Sequence, residues 1–225
     1  MKLVTFQTIS ALKELINSGY LECKEDYINT EKFGHVYEWI YEKMNEQLEN
    51  KNNLKYPLWA WVKFKNNVCP PKHKRNSLRD DVIVKIIFEK NKDDIFITDY
   101  RRYSFILNNL YIPSNLDEKL WFENKLEKNK ISIEELKAYV RKDRYKTHRQ
   151  DKEYLELCRE IRKSWDKCIT TDSDVLQACV WRIYLEEVVS IEILQDKSYD
   201  YGTFNYLRNN GKRFDWREDF YKMLK

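Results

Sequence analysis

Two tryptophans near residue 60 have the residue type and the spacing to bind a flat ring. Trp59 and Trp61 lie two positions apart in the segment Pro57-Leu58-Trp59-Ala60-Trp61, so on a β-strand both indoles point to the same face of the sheet. Such a pair can stack on a nucleotide base or a nicotinamide, or it can pack in a hydrophobic core. The spacing alone is consistent with both interpretations.

Three polar residues in or beside apolar segments are candidates for catalysis. Gln177 and Glu192 lie within apolar, β-branched sequence, and Asp99 separates a strand-like segment from a helical one. A carboxylate in such a position can stabilise a positive charge that develops in a transition state. Structural roles are the alternatives: Asp99 can cap a helix, Glu192 can face solvent on an edge strand, and a buried Gln177 amide must find hydrogen-bond partners.

Two basic segments are candidates for contact with a nucleic acid. They span 72–79 and 137–149, and Tyr139 and Tyr145 interleave with the second. Cations neutralise phosphates and aromatic rings stack on bases; the alternative is a solvated surface offset by nearby acidic residues. The residues that we expect to contact a nucleic acid are Lys74, Arg75, Arg141, Lys142 and Arg144.

The residue counts argue against several classes of protein. Basic and acidic residues nearly cancel, 41 against 37 in a chain of 225, whereas a general nucleic-acid binder usually has a larger basic excess. The five cysteines and three histidines are widely spaced, so we expect no metal site. The four glycines form no phosphate-binding loop.

The sequence has neither the pattern of a secretory signal nor an apolar run of about 18 residues. We therefore expect a cytoplasmic protein without a membrane partner. Lys, Asn, Ile and Tyr are abundant and Gly, Pro and Ala are scarce, a bias that is typical of an AT-rich genome such as that of a low-GC bacterium or its phage.

The helices and strands that the sequence predicts around these residues indicate an α+β fold with one mixed sheet of about five or six strands. Thr8 or Ser10 should cap the first helix, which Gly19 ends. The charged block 115–167 lacks Gly and Pro and has helical periodicity, so we predict one domain, 1–225, with this block as a helical insertion. The predicted strands are 2–7, 58–64, 81–89, 94–98 and one or two within 175–194; the other predicted helices are 35–48, 100–109 and 214–224.

The chain resembles the uncharacterised bacterial proteins grouped as domain of unknown function 3841. The resemblance extends over most of the chain, in the order of that family's motifs. It rests on the segments Lys2-Leu3-Val4-Thr5-Phe6-Gln7, Tyr37-Glu38-Trp39-Ile40, Pro57-Leu58-Trp59-Ala60-Trp61, Ile97-Thr98-Asp99-Tyr100, Leu107-Asn108, Ser164-Trp165 and Gln177-Ala178.

The opening of the chain is also similar to that of ADP-ribosyltransferases, in which a polar first strand leads into a helix that ends in glycine. This resemblance implies that Thr5 or Gln7 grips NAD. An aromatic residue, either Tyr37 or Trp59, would stack on the nicotinamide. A glutamate late in the chain, Glu192 or Glu187, would stabilise the ribosyl cation.

Together these features lead us to expect an NAD-using transferase of the ADP-ribosyltransferase type that modifies a protein or a nucleic acid, as toxins and defence effectors do. Gln177, Glu192 and Asp99 are the expected catalytic residues. The alternative is a non-catalytic module that binds a nucleic acid or a partner protein through its basic segments and aromatic residues.

Overall fold

The computed structural model describes residues 1–65, 67, 83–140, 151–194 and 203–204. The chain divides into two compact units. We call Met1–Lys24, Leu48–Phe96 and Leu176–Lys225 the sheet unit, and Glu25–Gln47 and Ile97–Val175 the helical unit. The elements are β1 (Lys2–Thr8), α1 (Ile9–Ser18), β2 (Tyr20–Glu22), α2 (Thr30–Gln47), β3 (Leu58–Phe64), β4 (Ile83–Glu89), β5 (Phe96–Asp99), α3 (Tyr100–Leu107), α4 (Leu116–Lys128), α5 (Ile133–Val140), α6 (Lys152–Ser164), β6 (Val175–Val180), β7 (Arg182–Tyr184), β8 (Val188–Leu194) and β9 (Thr203–Phe204).

The sheet unit is built around β1, which pairs antiparallel with β3 on one side and with β4 on the other. The strand order in this unit is β6-β3-β1-β4-β8-β9. β4 pairs antiparallel with β8, and β8 with β9. A separate pair, β2 and β7, is also antiparallel. The non-local pairing of β1 therefore decides which side chains share a face.

Alternation along the strands gives the sheet a core face and a second, half-buried face. Leu3, Thr5 and Ile86 are buried on the core face, and Thr5 is directly opposite Ile86. Phe6 and Trp61 are half-buried on the second face. Apolar side chains on both faces explain why β1 and β4 read as nearly continuous hydrophobic runs.

β8 contains an extra residue. Ile87 of β4 pairs with Ser190, but Phe88 pairs with Val188, so Val189 has no opposite residue and the pairing is interrupted. Val188 is buried beside Phe88, whereas Val189 is exposed. This β-bulge shifts the alternation of β8 by one residue.

Local signals define α1. The Thr8 hydroxyl accepts a hydrogen bond from the Ala11 amide at 3.2 Å, which caps the helix. Gly19 ends it with φ 78°, a left-handed conformation that glycine adopts without strain. The buried residues Leu12, Leu15 and Ile16 form one face, and α1 packs on β1, β2 and β4.

The helical unit is organised around Trp165, which is fully buried at the C-terminal end of α6. The ring of Trp39 from α2 meets it edge-on at 6.2 Å. Its indole N–H donates to the Leu110 carbonyl at 3.0 Å, so the segment after α3 is tied to the same core. α5 packs against α6, where the Tyr154 hydroxyl donates to the Glu135 carbonyl at 2.9 Å.

The α+β class predicted from the sequence is confirmed. The helical character of 115–167 is also seen in α4, α5 and α6, whereas the single domain stays a prediction. α2 begins at Thr30, five residues before the predicted start, and 175–194 contains three strands because Trp181 and a 3₁₀ turn at Leu185–Glu187 separate them. The predicted helix 214–224 lies outside the described residues.

No helix within the described ranges is both long enough and apolar enough to cross a membrane.

Two glycines provide opposite tests of backbone conformation. Gly19→Ala should lower the free energy of unfolding by about 1 kcal/mol because alanine resists φ 78°, although an added Cβ would meet no atom within 4 Å. Gly34 lies inside α2 with the same open space, so Gly34→Ala should raise that free energy by up to about 1 kcal/mol. Denaturant unfolding measures both; changes of the same sign would contradict the assignment.

Candidate functional sites

The predicted tryptophan pair lies on the second face of the sheet. Trp61 is opposite Val4, and by alternation Trp59 shares its face. Both indoles are half-buried, and the ring of Trp61 meets Phe64 edge-on at 5.8 Å. This geometry agrees with the expectation that the two indoles point the same way.

Thr5 and Gln7 lie on the opposite face of the sheet from the indoles. The Thr5 hydroxyl is buried; it donates to the Trp59 carbonyl at 2.8 Å and accepts from the Gln7 amide at 2.8 Å. The two side chains thus form a local chain of hydrogen bonds to the β3 backbone. Because Trp61 faces the other way, the four predicted cofactor-binding residues of this sheet do not line one pocket.

Glu192 shares the second face with the tryptophans but stands apart from them. It is opposite Lys85, whose ammonium lies 2.7 Å from its carboxylate. Phe6 is opposite Lys85 on the next strand. Trp59 and Glu192 are therefore three strand spacings apart, about 14 Å, with Phe6 and Lys85 between them.

The remaining predicted catalytic and cofactor residues do not join this group. Asp99 is the N-cap of α3: its carboxylate accepts from the amides of Arg101 at 2.7 Å and Arg102 at 3.1 Å. Gln177 is half-buried in β6, and Tyr37 lies on α2 in the helical unit. The structural alternative for Asp99, a helix cap, is the role that its contacts support.

The predicted nucleic-acid-binding residues lie outside the described residues. These are Lys74, Arg75, Arg141, Lys142 and Arg144.

Burial makes three of the described thiols weak nucleophiles. It raises the pKa of Cys168 to about 12, that of Cys158 to about 12 and that of Cys23 to about 11. Thiolates are the reactive form. Within the described ranges no group of three or more His, Cys, Asp or Glu side chains is arranged to hold a metal ion.

A polar pocket of about 180 Å³ lies in the sheet unit, and Glu187 is the one lining residue that the sequence indicated as a candidate. We call it the polar pocket. It combines the segment after α2, the turn around Lys90 and the β7 region, and its lining residues are Leu48, Glu49, Asn50, Lys51, Asn52, Lys90, Asp94, Trp181, Arg182, Tyr184 and Glu187. Its volume is below the roughly 300–1,000 Å³ of pockets that enclose a whole drug-sized ligand, so it suits a single ring.

Two ion pairs organise the polar pocket. The ammonium of Lys90, whose side chain is 7% exposed, lies 2.7 Å from one oxygen of Glu187 and 2.9 Å from the other, and it donates to the Arg182 carbonyl at 2.8 Å. The Arg182 guanidinium donates twice to one oxygen of Glu22, at 2.5 and 3.2 Å. It lies 4.0 Å from the ring centre of Tyr20 and 5.8 Å from that of Tyr184.

The charges that line the polar pocket balance. Lys51, Lys90 and Arg182 stand against Glu49, Asp94 and Glu187. Glu22, the partner of Arg182, is a further carboxylate that does not line the pocket. Lys51 pairs with Glu49 at 3.2 Å, and Asp94 is the carboxylate for which the described residues supply no ion pair. A cationic ring would be favoured over an anionic one.

The helical unit has an apolar groove of about 680 Å³ between α3, α4 and the start of α5. We call it the apolar groove. Its lining residues are Phe105, Leu110, Tyr111, Pro113, Lys119, Phe122, Glu123, Leu126, Glu127 and Ile133. The rings of Tyr111 and Phe122 are stacked with centres 4.2 Å apart, which forms the floor of the groove.

A cluster of charged and hydroxyl groups holds the wall of the apolar groove. The Glu118 carboxylate accepts from the Lys167 ammonium and, at 2.5 Å, from the Tyr111 hydroxyl. Lys167 also donates to the Ile112 carbonyl at 3.0 Å. The bonds from Lys167 and Tyr111 lower the pKa of Glu118 to about 2, while burial and the bond to Glu118 raise the pKa of Tyr111.

Comparisons with known proteins give one match. The family model described as Domain of unknown function (DUF3841) matches residues 2–189. No curated protein and no solved structure matches the chain.

Acid should remove the contribution of Glu118 to stability. Its carboxylate is charged in the folded state down to about pH 2, whereas the unfolded group titrates near 4.5. Glu118→Gln should therefore lower the free energy of unfolding by about 1–2 kcal/mol at pH 7, and this difference should shrink between pH 4.5 and pH 2. Denaturant titrations at pH 7, 4.5 and 2.5 measure it.

Glu123→Gln is the matched control. Glu123 has an exposed pair with Lys119 at 3.6 Å, so this change should alter the free energy of unfolding by less than about 0.5 kcal/mol. A difference between wild type and Glu118→Gln that is the same at pH 7 and pH 2.5 would contradict the role of the charge.

Proposed function

This chain belongs to the family of domain of unknown function 3841. From the residues of its polar pocket, we propose that it is an NAD-using transferase of the ADP-ribosyltransferase type, acting at that pocket on a protein or nucleic-acid acceptor. The observation that carries the proposal is the convergence of Glu187 with the aromatic side chains of Trp181 and Tyr184 around a cleft of one-ring size. The opening β1–α1–Gly19–β2 has the strand-helix-glycine order that the resemblance requires.

The composition of the polar pocket suits the nicotinamide end of NAD. Nicotinamide in NAD is a flat ring with a positive charge, and aromatic walls together with the carboxylate of Asp94 favour such a ring. At about 180 Å³ the pocket takes the ring, while the rest of the dinucleotide extends beyond it.

Of the two late glutamates that the resemblance offers, Glu187 is the better candidate. Glu187 lines the polar pocket, whereas Glu192 lies on the sheet face beside Lys85. Glu187 is also oriented: it accepts from the Tyr184 amide at 2.9 Å and from Lys90. We therefore keep a catalytic carboxylate late in the chain but assign it to Glu187 instead of Glu192.

The contribution of this site to the reaction is electrostatic stabilisation of the transition state. The bond between the ribose C1′ and the nicotinamide nitrogen breaks, nicotinamide leaves with the electron pair, and an acceptor nucleophile forms a bond to C1′ while its proton passes to solvent. Positive charge develops on the ribose as the bond breaks, and a fixed carboxylate lowers the energy of that charge. The pairing with Lys90 holds Glu187 in one orientation, so little reorganisation is needed.

Glu187→Gln and Glu192→Gln form a matched test. Each change breaks a pair with a lysine, and the two carboxylate side chains are 20% and 24% exposed. Glu187→Gln should slow the release of nicotinamide from NAD by about 10²-fold because the fixed negative charge is lost, and Glu192→Gln should change it by less than about twofold. The assay follows nicotinamide release and transfer of labelled ADP-ribose in a bacterial extract, with thermal unfolding as the check on folding.

Three results would overturn parts of this proposal. Loss of activity in Glu192→Gln alone would return catalysis to Glu192 on the sheet face. If both variants lost activity equally and unfolded at the same temperature as wild type, the polar pocket would not be the catalytic site. No heat of binding with millimolar NAD in calorimetry, together with no transfer, would remove NAD chemistry altogether.

A further inference from the structure

We propose that the apolar groove of the helical unit binds an amphipathic helix of a partner protein whose polar edge is basic. This inference is independent of the proposed transferase activity, because every residue that lines the groove belongs to the helical unit. It concerns an interaction surface, and it identifies the partner by the chemistry that the groove offers.

Several of the apolar side chains that line this groove are partly exposed. Phe105 is 36% exposed and lines it, and Leu126 and Ile133 are only half-buried there. Large apolar side chains left in water cost free energy that a partner would recover, and a contiguous patch of this kind marks an interaction site. At about 680 Å³ the groove has room for several apolar side chains at once.

A line of charges runs along one side of the groove. Lys119, Glu123 and Glu127 follow each other at four-residue intervals on α4 and all line it, so the line is about 12 Å long. Lys119 pairs with Glu123 at 3.6 Å, and the described residues supply no ion pair for Glu127. The end of the groove near Glu127 is therefore acidic.

The charges and the shape favour a basic helix over the other occupants. Glu123 and Glu127 repel the phosphates of a nucleic acid. The sides of the groove are helices, which offer no row of unpaired backbone groups to which an extended strand could be added. An amphipathic helix instead presents apolar residues at i, i+3, i+4 and i+7 to such a groove, with lysine or arginine beside them.

The test uses two synthetic helical peptides of about 16 residues. Both carry leucine at i, i+3, i+4 and i+7; one has lysine and the other glutamate at the flanking positions. Fluorescence anisotropy with the full chain should show that the lysine peptide binds about tenfold more tightly, and that high salt reduces this preference. Glu127→Lys should remove or reverse the preference with nicotinamide release from NAD unchanged.

Leu126→Asp and Leu120→Asp are the paired controls for position. Leu126 lines the apolar groove, whereas Leu120 lies on another side of α4, in a shallow hollow with Trp121. Leu126→Asp should weaken binding of the lysine peptide at least tenfold, and Leu120→Asp should leave it unchanged; circular dichroism checks that both variants fold.

Equal affinity for the two peptides, equal weakening by the two aspartate substitutions, or no saturable binding of either peptide would each overturn the inference. The apolar groove and the polar pocket share no lining residue. A failure of the peptide test therefore leaves the transferase proposal standing, and a failure of that proposal leaves the peptide result standing.

Discussion

The alternation of side chains along β1 is the constraint on which the rest of the sheet unit depends. β1 has a partner on each side, so its alternation is imposed on β3 and β4 and, through β4, on β8. Thr5 and Trp61 therefore lie on opposite faces, although the Thr5 hydroxyl donates to the carbonyl of Trp59 in the same strand as Trp61. A pocket that includes residues of both faces cannot form on this sheet, which is why the candidate site lies beyond its strands.

Two lysines in the described part of this protein each pair with a carboxylate and also bond a backbone carbonyl. Lys90 bonds both Glu187 and a carbonyl of β7, and Lys167 bonds both Glu118 and the carbonyl of Ile112. A lysine removed from water needs such partners, because an unpaired buried charge is costly. Each pair therefore fixes a loop: the first orders the turn before β8, and the second orders the wall of the apolar groove.

The sequence was informative where the signal is local. Thr8 was one of two predicted caps of α1, a cap was the structural alternative for Asp99, and both residues cap helices. β3 has the predicted bounds 58–64. The face shared by Trp59 and Trp61 also follows from their spacing. The α+β class follows from the same local patterns, because each helix or strand is recognised separately.

The candidate site was less accessible because it depends on register and long-range pairing. Nothing near Lys90 in the sequence indicates Glu187, 97 positions away, and both residues look like ordinary surface charges beside a turn. Asp94 and Arg182 are equally inconspicuous. The resemblance to ADP-ribosyltransferases offered Glu187 only as an alternative to Glu192. A second signal is the segment Trp181-Arg182-Ile183-Tyr184, in which an arginine lies between aromatic residues, and it becomes informative only once β7 is known to pair with β2.

Val189, the unpaired residue of β8, lies between Glu187 and Glu192 and affects where their side chains lie relative to β4. Counted along an uninterrupted strand, the side chains before Val189 would keep the phase of those after it, and Val188 would face outward with Ser190. The insertion reverses that phase, so Val188 enters the core beside Phe88. If the same residues paired without the bulge, Val189 would take the position opposite Phe88, Val188 would turn outward, and Glu187 would be shifted along β4 relative to Lys90.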